Sequence, residues 1–368
     1  MSDEEKYYVA FSAMDGIGPA RFKLLKTYFG SAKNAYSASK NELLHIGLSE
    51  NICDRLVKFR DKFDIDSYLL RLEKLDVRSV TIEQLDYPTL LKQTANPPIV
   101  LYVKALVSSD LSLIFSLPSI AIVGTRKVTP YGRQVTQMIT AELVLNGFCV
   151  VSGLALGVDG ITHQTVLESR GKTIAVMGCG LDQVYPSSHR VLADKIIESG
   201  GIWVSEYPLG TRALPGNFPA RNRIISGLSL GVVVTEAAED SGSLITARCA
   251  TEQGRDVFAV PGPITSQVSG GTLSLIKQGA IPIASVNDIL EILPGFKKTN
   301  TKTSNSGNYA NLSTEELAVV DLLKNGDLAL DEISQTIKIP AESLASILSM
   351  LEIKGVVVGD NGKYFLRK

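Results

Sequence analysis

No segment of the chain combines the length and apolarity of a membrane span. The longest apolar run, Leu111 to Gly124, contains Pro118 and falls short of the roughly 20 residues such a span requires. The amino terminus, Met1-Ser-Asp-Glu-Glu-Lys6, lacks the basic and apolar regions of a secretory signal, so a cytoplasmic protein without membrane contact is expected. Cysteines are few, and the four present (Cys53, Cys149, Cys179 and Cys249) form no C-x-x-C pair. That spacing argues against structural zinc or a redox couple and for buried free thiols. An excess of charge of one sign is also missing. With 37 Lys and Arg against 38 Asp and Glu, the net charge of −1 supplies no global attraction for nucleic acid.

What the chain does have is local clustering of charge. Leu111 to Ala141 contains no Asp or Glu but includes Arg126, Lys127 and Arg133. Tyr207 to Thr235 is likewise free of acids and carries Arg212, Arg221 and Arg223. A length of 368 residues exceeds one ordinary core, and a hydrophobic fraction of 45% with 31 glycines suits an α/β protein rich in tight turns.

Residues 1–72 are expected to form a helical, SAM-like domain, with apolar positions such as Val9, Phe11, Leu24, Leu25, Tyr28 and Phe29 at helical spacing. Asp15-Gly-Ile-Gly-Pro19 breaks two of its helices and resembles a helix-hairpin-helix turn, of which Ile46-Gly-Leu-Ser49 is a degenerate second copy. From 73 to 296 short apolar runs alternate with amphipathic stretches, the signature of a parallel sheet with crossover helices. Strands are expected at Ile120–Val123, Cys149–Val151, Ile174–Met177, Ile202–Val204, Val232–Thr235, Val257–Val260 and Ile281–Ala284, with a further one at Ile99–Lys104. The fold class is therefore α/β, an extended Rossmann-like domain. Residues 297–311, rich in Lys, Thr, Asn, Ser and Gly, read as a linker. Residues 312–368 follow as three helices and a hairpin, a winged-helix layout opened by the capping box Ser313-x-x-Glu316.

In open α/β sheets ligands sit beyond the carboxyl ends of the strands. The first core strand leads into Gly124-Thr125-Arg126-Lys127 and the second into Ser152-Gly153, while Glu236, beyond the fifth, leads to Ser241-Gly242-Ser243. These loops suit backbone cradling of phosphates better than bond chemistry. Pro215-Gly-Asn-Phe-Pro-Ala-Arg-Asn-Arg223 adds an aromatic ring among turn residues and two arginines, a mixture able to stack a base and pair a backbone. A dinucleotide enzyme is disfavoured because Arg126 stands where G-x-G-x-x-G needs its second glycine, and no Walker lysine pattern occurs. His163 and His189 lie in no nucleophile motif and read as hydrogen-bonded loop residues. Asp159, Asp182 and Glu236 are expected to cap the helices that follow them, leaving no metal site, cofactor or catalytic group.

Ile120-Ala-Ile-Val-Gly-Thr-Arg126, Val151-Ser-Gly-Leu-Ala-Leu-Gly-Val-Asp-Gly160, Val184-Tyr-Pro186, Ser205-Glu-Tyr-Pro208, Phe218-Pro-Ala-Arg-Asn-Arg223, Thr235-Glu-Ala237 and Val260-Pro-Gly262 resemble the ordered motifs of the DNA-processing protein A (DprA/Smf) family. The resemblance implies a non-enzymatic protein that binds single-stranded DNA in its Rossmann-like domain, dimerises through it and helps load the RecA recombinase in natural transformation. The loops read above and the resemblance together give Gly124, Thr125, Arg126, Lys127, Ser152, Gly153, Phe218, Arg221, Asn222, Arg223, Ser241, Gly242 and Ser243 as the expected DNA-binding residues. Arg126 would hold a phosphate, Phe218 would lie along the strand, and Arg221 and Arg223 would line the pocket or fix its wall. The competing expectation is a nucleotide-processing enzyme like the nucleoside-monophosphate phosphoribohydrolases, but Pro261-Gly262 lacks the remainder of their P-G-G-x-G-T loop.

Overall fold

A computed structural model describes residues 2–293, 312–323, 326–360 and 362–366, and the expected linker at 297–311 lies outside them. The chain divides into two compact units, Met1–Lys297 and Lys298–Lys368. Among the described residues no helix is long and apolar enough to cross a membrane.

The first unit is built on nine strands: β1 (Val77–Thr81), β2 (Val100–Lys104), β3 (Ser119–Val123), β4 (Cys149–Ser152), β5 (Thr173–Val176), β6 (Ile202–Ser205), β7 (Gly231–Val234), β8 (Asp256–Ala259) and β9 (Ile281–Pro282). Their order across the sheet is β1-β2-β6-β5-β4-β3-β7-β8-β9. The seven strands from β6 to β9 run parallel, whereas β2 pairs antiparallel with β6 and β1 antiparallel with β2. Period-two alternation sends successive side chains to opposite faces: Ile120 and Ile122 of β3 enter one core, Ala121 and Val123 another. Helices cover both faces, which is why the central residues of these strands, such as Ile120–Val123 and Val232–Val234, are apolar on both sides. Each strand expected from the sequence is present. The edge strand β1 was not expected, since its exposed Arg78 and half-buried Ser79 break the apolar pattern.

The amino-terminal helices begin with Asp3–Ala13 and Pro19–Phe29, separated by the expected break. Gly18 caps the second and Pro19 occupies its first turn, where a missing N–H costs nothing. Phe11, Leu25, Leu43 and Leu56 of this segment share one core with Tyr102, Met177 and Trp203 of the sheet region. The hydroxyl of Tyr68 accepts from Leu209 N (2.9 Å), and those of Ser12 and Tyr102 lie 2.6 Å apart.

The second unit has helices Thr314–Leu323, Leu330–Ile337 and Ala341–Ile353, with a small sheet of β10 (Leu328–Ala329), β12 (Lys363–Leu366) and β11 (Val357–Asp360), in that order. Val319, Val320, Ile333, Leu344, Leu348 and Val357 form its own core. The capping box is closed in both directions, Ser313 N donating to Glu316 Oε2 (2.7 Å) and Glu316 N to Ser313 Oγ (3.2 Å). This is the winged-helix layout expected from the sequence.

Candidate nucleic-acid interface

The strand order places β3 between β4 and β7, so the connections leaving β3 and β7 part at this point and open a crevice at their carboxyl ends. Glu236, buried beyond β7, braces the loop that leaves β3. Its carboxylate accepts from Thr129 N (3.0 Å) and Thr129 Oγ1 (2.5 Å), and its carbonyl from Thr125 N (2.7 Å). Thr129 in turn caps the helix Pro130–Leu145 through Gly132 N (3.0 Å). The loop after β4 closes against the same backbone, Val158 N donating to the Thr125 carbonyl (3.1 Å). Gly157 makes this approach possible: its φ is +81°, and a Cβ there would stand 2.7 Å from Arg126 Cα.

Asp159 and Arg221 hold the turn after β4 from its two sides. Asp159 Oδ2 accepts from Gly153 N (3.0 Å) and Ala155 N (3.4 Å), while Arg221 Nη1 donates to the carbonyls of Gly153 (2.7 Å) and Val176. Burial pushes the Asp159 carboxyl above its ordinary range and lowers the Arg221 guanidinium, and each group's charge opposes the shift of the other. Beyond β5, the Phe218 ring covers the bare backbone of Gly178, where a Cβ would meet Cδ1 at 2.9 Å. Asn217, at the start of the helix Asn217–Gly227, donates its Nδ2 to the Gly178 carbonyl (3.1 Å). Tyr185 stands beside Phe218 with ring centroids 5.2 Å apart and planes tilted by 38°.

These loops enclose a small pocket of about 50 Å³ lined by Arg126, Gly153, Ala155, Leu156, Tyr185, Pro186, Phe218 and Arg221. Arg126 and Lys127 are exposed, and among the described residues neither has an acidic partner. Leu156 and Tyr185 are 47% and 49% exposed, an apolar and aromatic rim around a free positive charge. Neither was singled out from the sequence as a site residue, although Tyr185 lies inside the quoted Val184-Tyr-Pro186.

The structure gathers only some of the sequence candidates. Arg126, Gly153, Phe218 and Arg221 meet at the pocket, with Gly124, Thr125, Lys127 and Ser152 in or next to the loops that form it. Arg221 is 4% exposed and forms the floor, its Nη1 spent on the two carbonyls while its buried Nε has no partner among the described residues. Arg223 turns away to Glu206 and the Asn96 carbonyl (2.9 Å). Asn222 is buried, its Nδ2 donating to the Gly242 carbonyl (3.2 Å), and the Ser241 and Ser243 hydroxyls bond each other (2.8 Å) outside the pocket lining. Phe218 to Arg223 lie on a helix, Asn217–Gly227, rather than in a turn-rich loop. Arg221 and Arg223 are then about 200° apart around the axis and cannot both face one ligand.

The expected capping roles of the carboxylates are also corrected. Asp159 reaches back to the preceding loop, Asp182 receives Gly210 N (3.0 Å), and Glu236 braces the β3 loop. Among the described residues no three His, Cys, Asp or Glu side chains group as metal ligands.

His163 is not a loop residue but sits fully buried in the helix Val158–Glu168. The Thr173 hydroxyl gives its proton to the Val150 carbonyl (2.7 Å), so it receives the His163 Nδ1 proton across 2.8 Å. Burial, reinforced by the nearby His189 and Arg221, lowers the ring's pKa from 6.5 to about 3. Between these values the unfolded chain binds a proton that the folded one refuses. The stabilising contribution is therefore complete above pH 6.5 and is lost as pH falls, by about 1.4 kcal/mol per unit. Urea titrations at pH 7 and 5.5 should show about 1 kcal/mol more acid loss in the wild type than in His163→Gln. Equal losses would show that this ring is not the source.

Fold and site together define a Rossmann-like α/β protein whose switch-point edge presents free basic and aromatic side chains, followed by a winged-helix unit. The chain belongs to the DNA recombination-mediator protein A (DprA) family: that family's model matches residues 78–294, and the DprA winged helix domain matches 305–363. It is 34% identical to Protein Smf of Synechocystis sp. PCC 6803 across the full length of both chains. The X-ray structure of DprA from Streptococcus pneumoniae superposes with a TM-score of 0.67 at 33% identity, covering 80% of this chain and 98% of that one. DNA processing protein A from Helicobacter pylori, solved for its single-stranded DNA binding mode, superposes with a TM-score of 0.51 at 33% identity, over 58% and 94%.

Proposed function

We propose that the chain binds single-stranded DNA with little sequence preference at the pocket around Arg126 and Phe218. In this reading it acts in the cytoplasm as a non-enzymatic homodimer, paired through its sheet-bearing unit, that passes the strand to the RecA recombinase in competence and recombination. The observation that carries the reading is Arg126, without an acidic partner among the described residues, beside the Tyr185–Phe218 ring pair: a fixed charge for phosphate next to two π-faces that accept any base. The binding mode named for the H. pylori relative supports it. A phosphoribohydrolase-like reaction is less well served, because Glu236 is buried and already accepts two hydrogen bonds from Thr129, and the buried Asp159 accepts from Gly153 N and Ala155 N.

Titration of labelled oligodeoxythymidine at several salt concentrations tests the reading, with log affinity expected to fall by about 0.7 per phosphate contact per log unit of salt. Salt-independent binding, a preference for duplex, or cleavage of AMP in a parallel assay would each overturn it.

The second unit is not expected to be the main binding element. Leu312 to Lys368 carries six Lys or Arg against nine Asp or Glu, and the helix Ala341–Ile353 contains two acids and no base. Such a surface repels a phosphate backbone. A chain ending at Gly295 should therefore keep its affinity within about tenfold, roughly 1.4 kcal/mol. A larger loss from a folded truncated protein would transfer the assignment to the winged helix.

A further inference from the structure

A second and much larger cavity of the first unit, about 440 Å³, is not used by the reading above. Its size falls within the roughly 300–1,000 Å³ of small-ligand sites. One wall is the hairpin of residues 13–19, with Met14 and Ile17; the opposite wall comes from the segment after β6, with Tyr207, Leu214 and Asn217; Ile99, just before β2, also lines it. The hairpin is the turn whose sequence resembles a helix-hairpin-helix element and that the Arg126 pocket leaves without a role.

Three observations say what the cavity would hold. Each of its acids has a cationic partner: Asp15 Oδ2 accepts from Arg55 Nη2 (2.6 Å) at the exposed edge, and Glu206 pairs with Arg223. What remains is apolar surface and a phenol ring, edged by the neutral hydrogen-bonding groups of Thr211 and Asn217, a lining suited to an unstacked heterocycle. The cavity is also continuous in sequence with the first site, because Asn217 lines it and the next residue, Phe218, lines the other. The exposed Arg212, whose carbonyl accepts from Asn217 Nδ2 (3.2 Å), lies on the same connecting segment and has no acidic partner among the described residues.

We propose that this cavity is a second seat for the same single strand. It takes an unstacked base from the stretch adjoining the one held at Phe218, and Arg212 neutralises the phosphate backbone between the two seats. The proposal rests on the single-strand reading, so its test separates the two.

Leu214 is 55% exposed, so Leu214→Glu places a negative charge in the lining without disturbing the core. Full-length wild type, Leu214→Glu and Arg126→Ala would be titrated with thymidine strands of about 5 and about 20 nucleotides, lengths that bracket typical single-strand sites. Leu214→Glu should weaken the long strand about tenfold, or 1.4 kcal/mol, and leave the short strand nearly unchanged, whereas Arg126→Ala weakens both. Strands carrying 5-iododeoxyuridine at successive positions should also crosslink to Tyr207. Crosslinks confined to Tyr185 and Phe218, with no length-dependent loss in Leu214→Glu, would overturn the second seat and leave the first intact. A wild type that binds neither strand would remove both.

Discussion

Arg221→Ala should cost the first unit about 3 kcal/mol or more of stability, before any question of affinity arises. The guanidinium is 4% exposed, and its Nη1 donates to the carbonyls of Gly153 and Val176. Removing it leaves those acceptors unpaired at about 1–3 kcal/mol each and deprives the buried Asp159 of the positive charge beside it. Arg221→Lys should recover only part of the loss, since a shorter, more strongly hydrated ammonium is costlier to bury and is not held in place as a rigid guanidinium is. Urea denaturation followed by circular dichroism measures both. An Arg221→Ala protein as stable as the wild type that has lost only its DNA would mean that this side chain touches the strand, contrary to its position in the floor.

Arg126→Ala is expected to do the opposite, weakening single-strand binding by roughly 1.5–3 kcal/mol while leaving stability unchanged. The side chain is exposed, carries its charge without an acidic partner among the described residues and lines the pocket, so its charge is free for a phosphate. Arg133, exposed on the helix Pro130–Leu145, is the control because it carries the same charge seven residues on and lines neither cavity. Phe218→Ala should cost about 1–3 kcal/mol if the ring stacks on a base. Equal losses for Arg126→Ala and Arg133→Ala in fluorescence titrations would show that binding follows general charge rather than this site.

The sheet could be read from the sequence because buried parallel strands leave an unambiguous trace. Ile120–Val123 and Val232–Val234 are apolar runs bounded by turn residues. β1 left none, because an antiparallel edge strand that shows Arg78 to solvent needs no such run. Within the site, Arg126 and Phe218 were legible from composition and motif, but the division of labour between Arg221 and Arg223 was not. Pro215, Gly216 and Pro219 suggest a turn, whereas Pro219 lies in the first turn of a helix, where its missing N–H is tolerated. Once that segment is helical, one arginine faces Gly153 and the other Glu206, and composition alone cannot say which. The Tyr185 rim was missed for a related reason: its exposure depends on the loop after β5, which no periodicity describes.

The shared core of the amino-terminal helices and the sheet bears on the order in which the molecule can fold. Phe11, Leu25 and Leu56 are synthesised early, yet Trp203, which belongs to the same core, leaves the ribosome almost 150 residues after the last of them. Until β6 is made, the helices have no complete surface on which to bury those side chains. Contacts so distant in sequence carry a large loop-closure entropy and form slowly. Phe11 can already pack on Phe22 and Tyr36 of the same segment, but the face that will meet Trp203 stays uncovered until then, a state in which unfinished chains associate with one another. Conditions that slow synthesis between residues 72 and 203 should lengthen that exposure and increase demand for chaperones, even though the finished protein is unchanged.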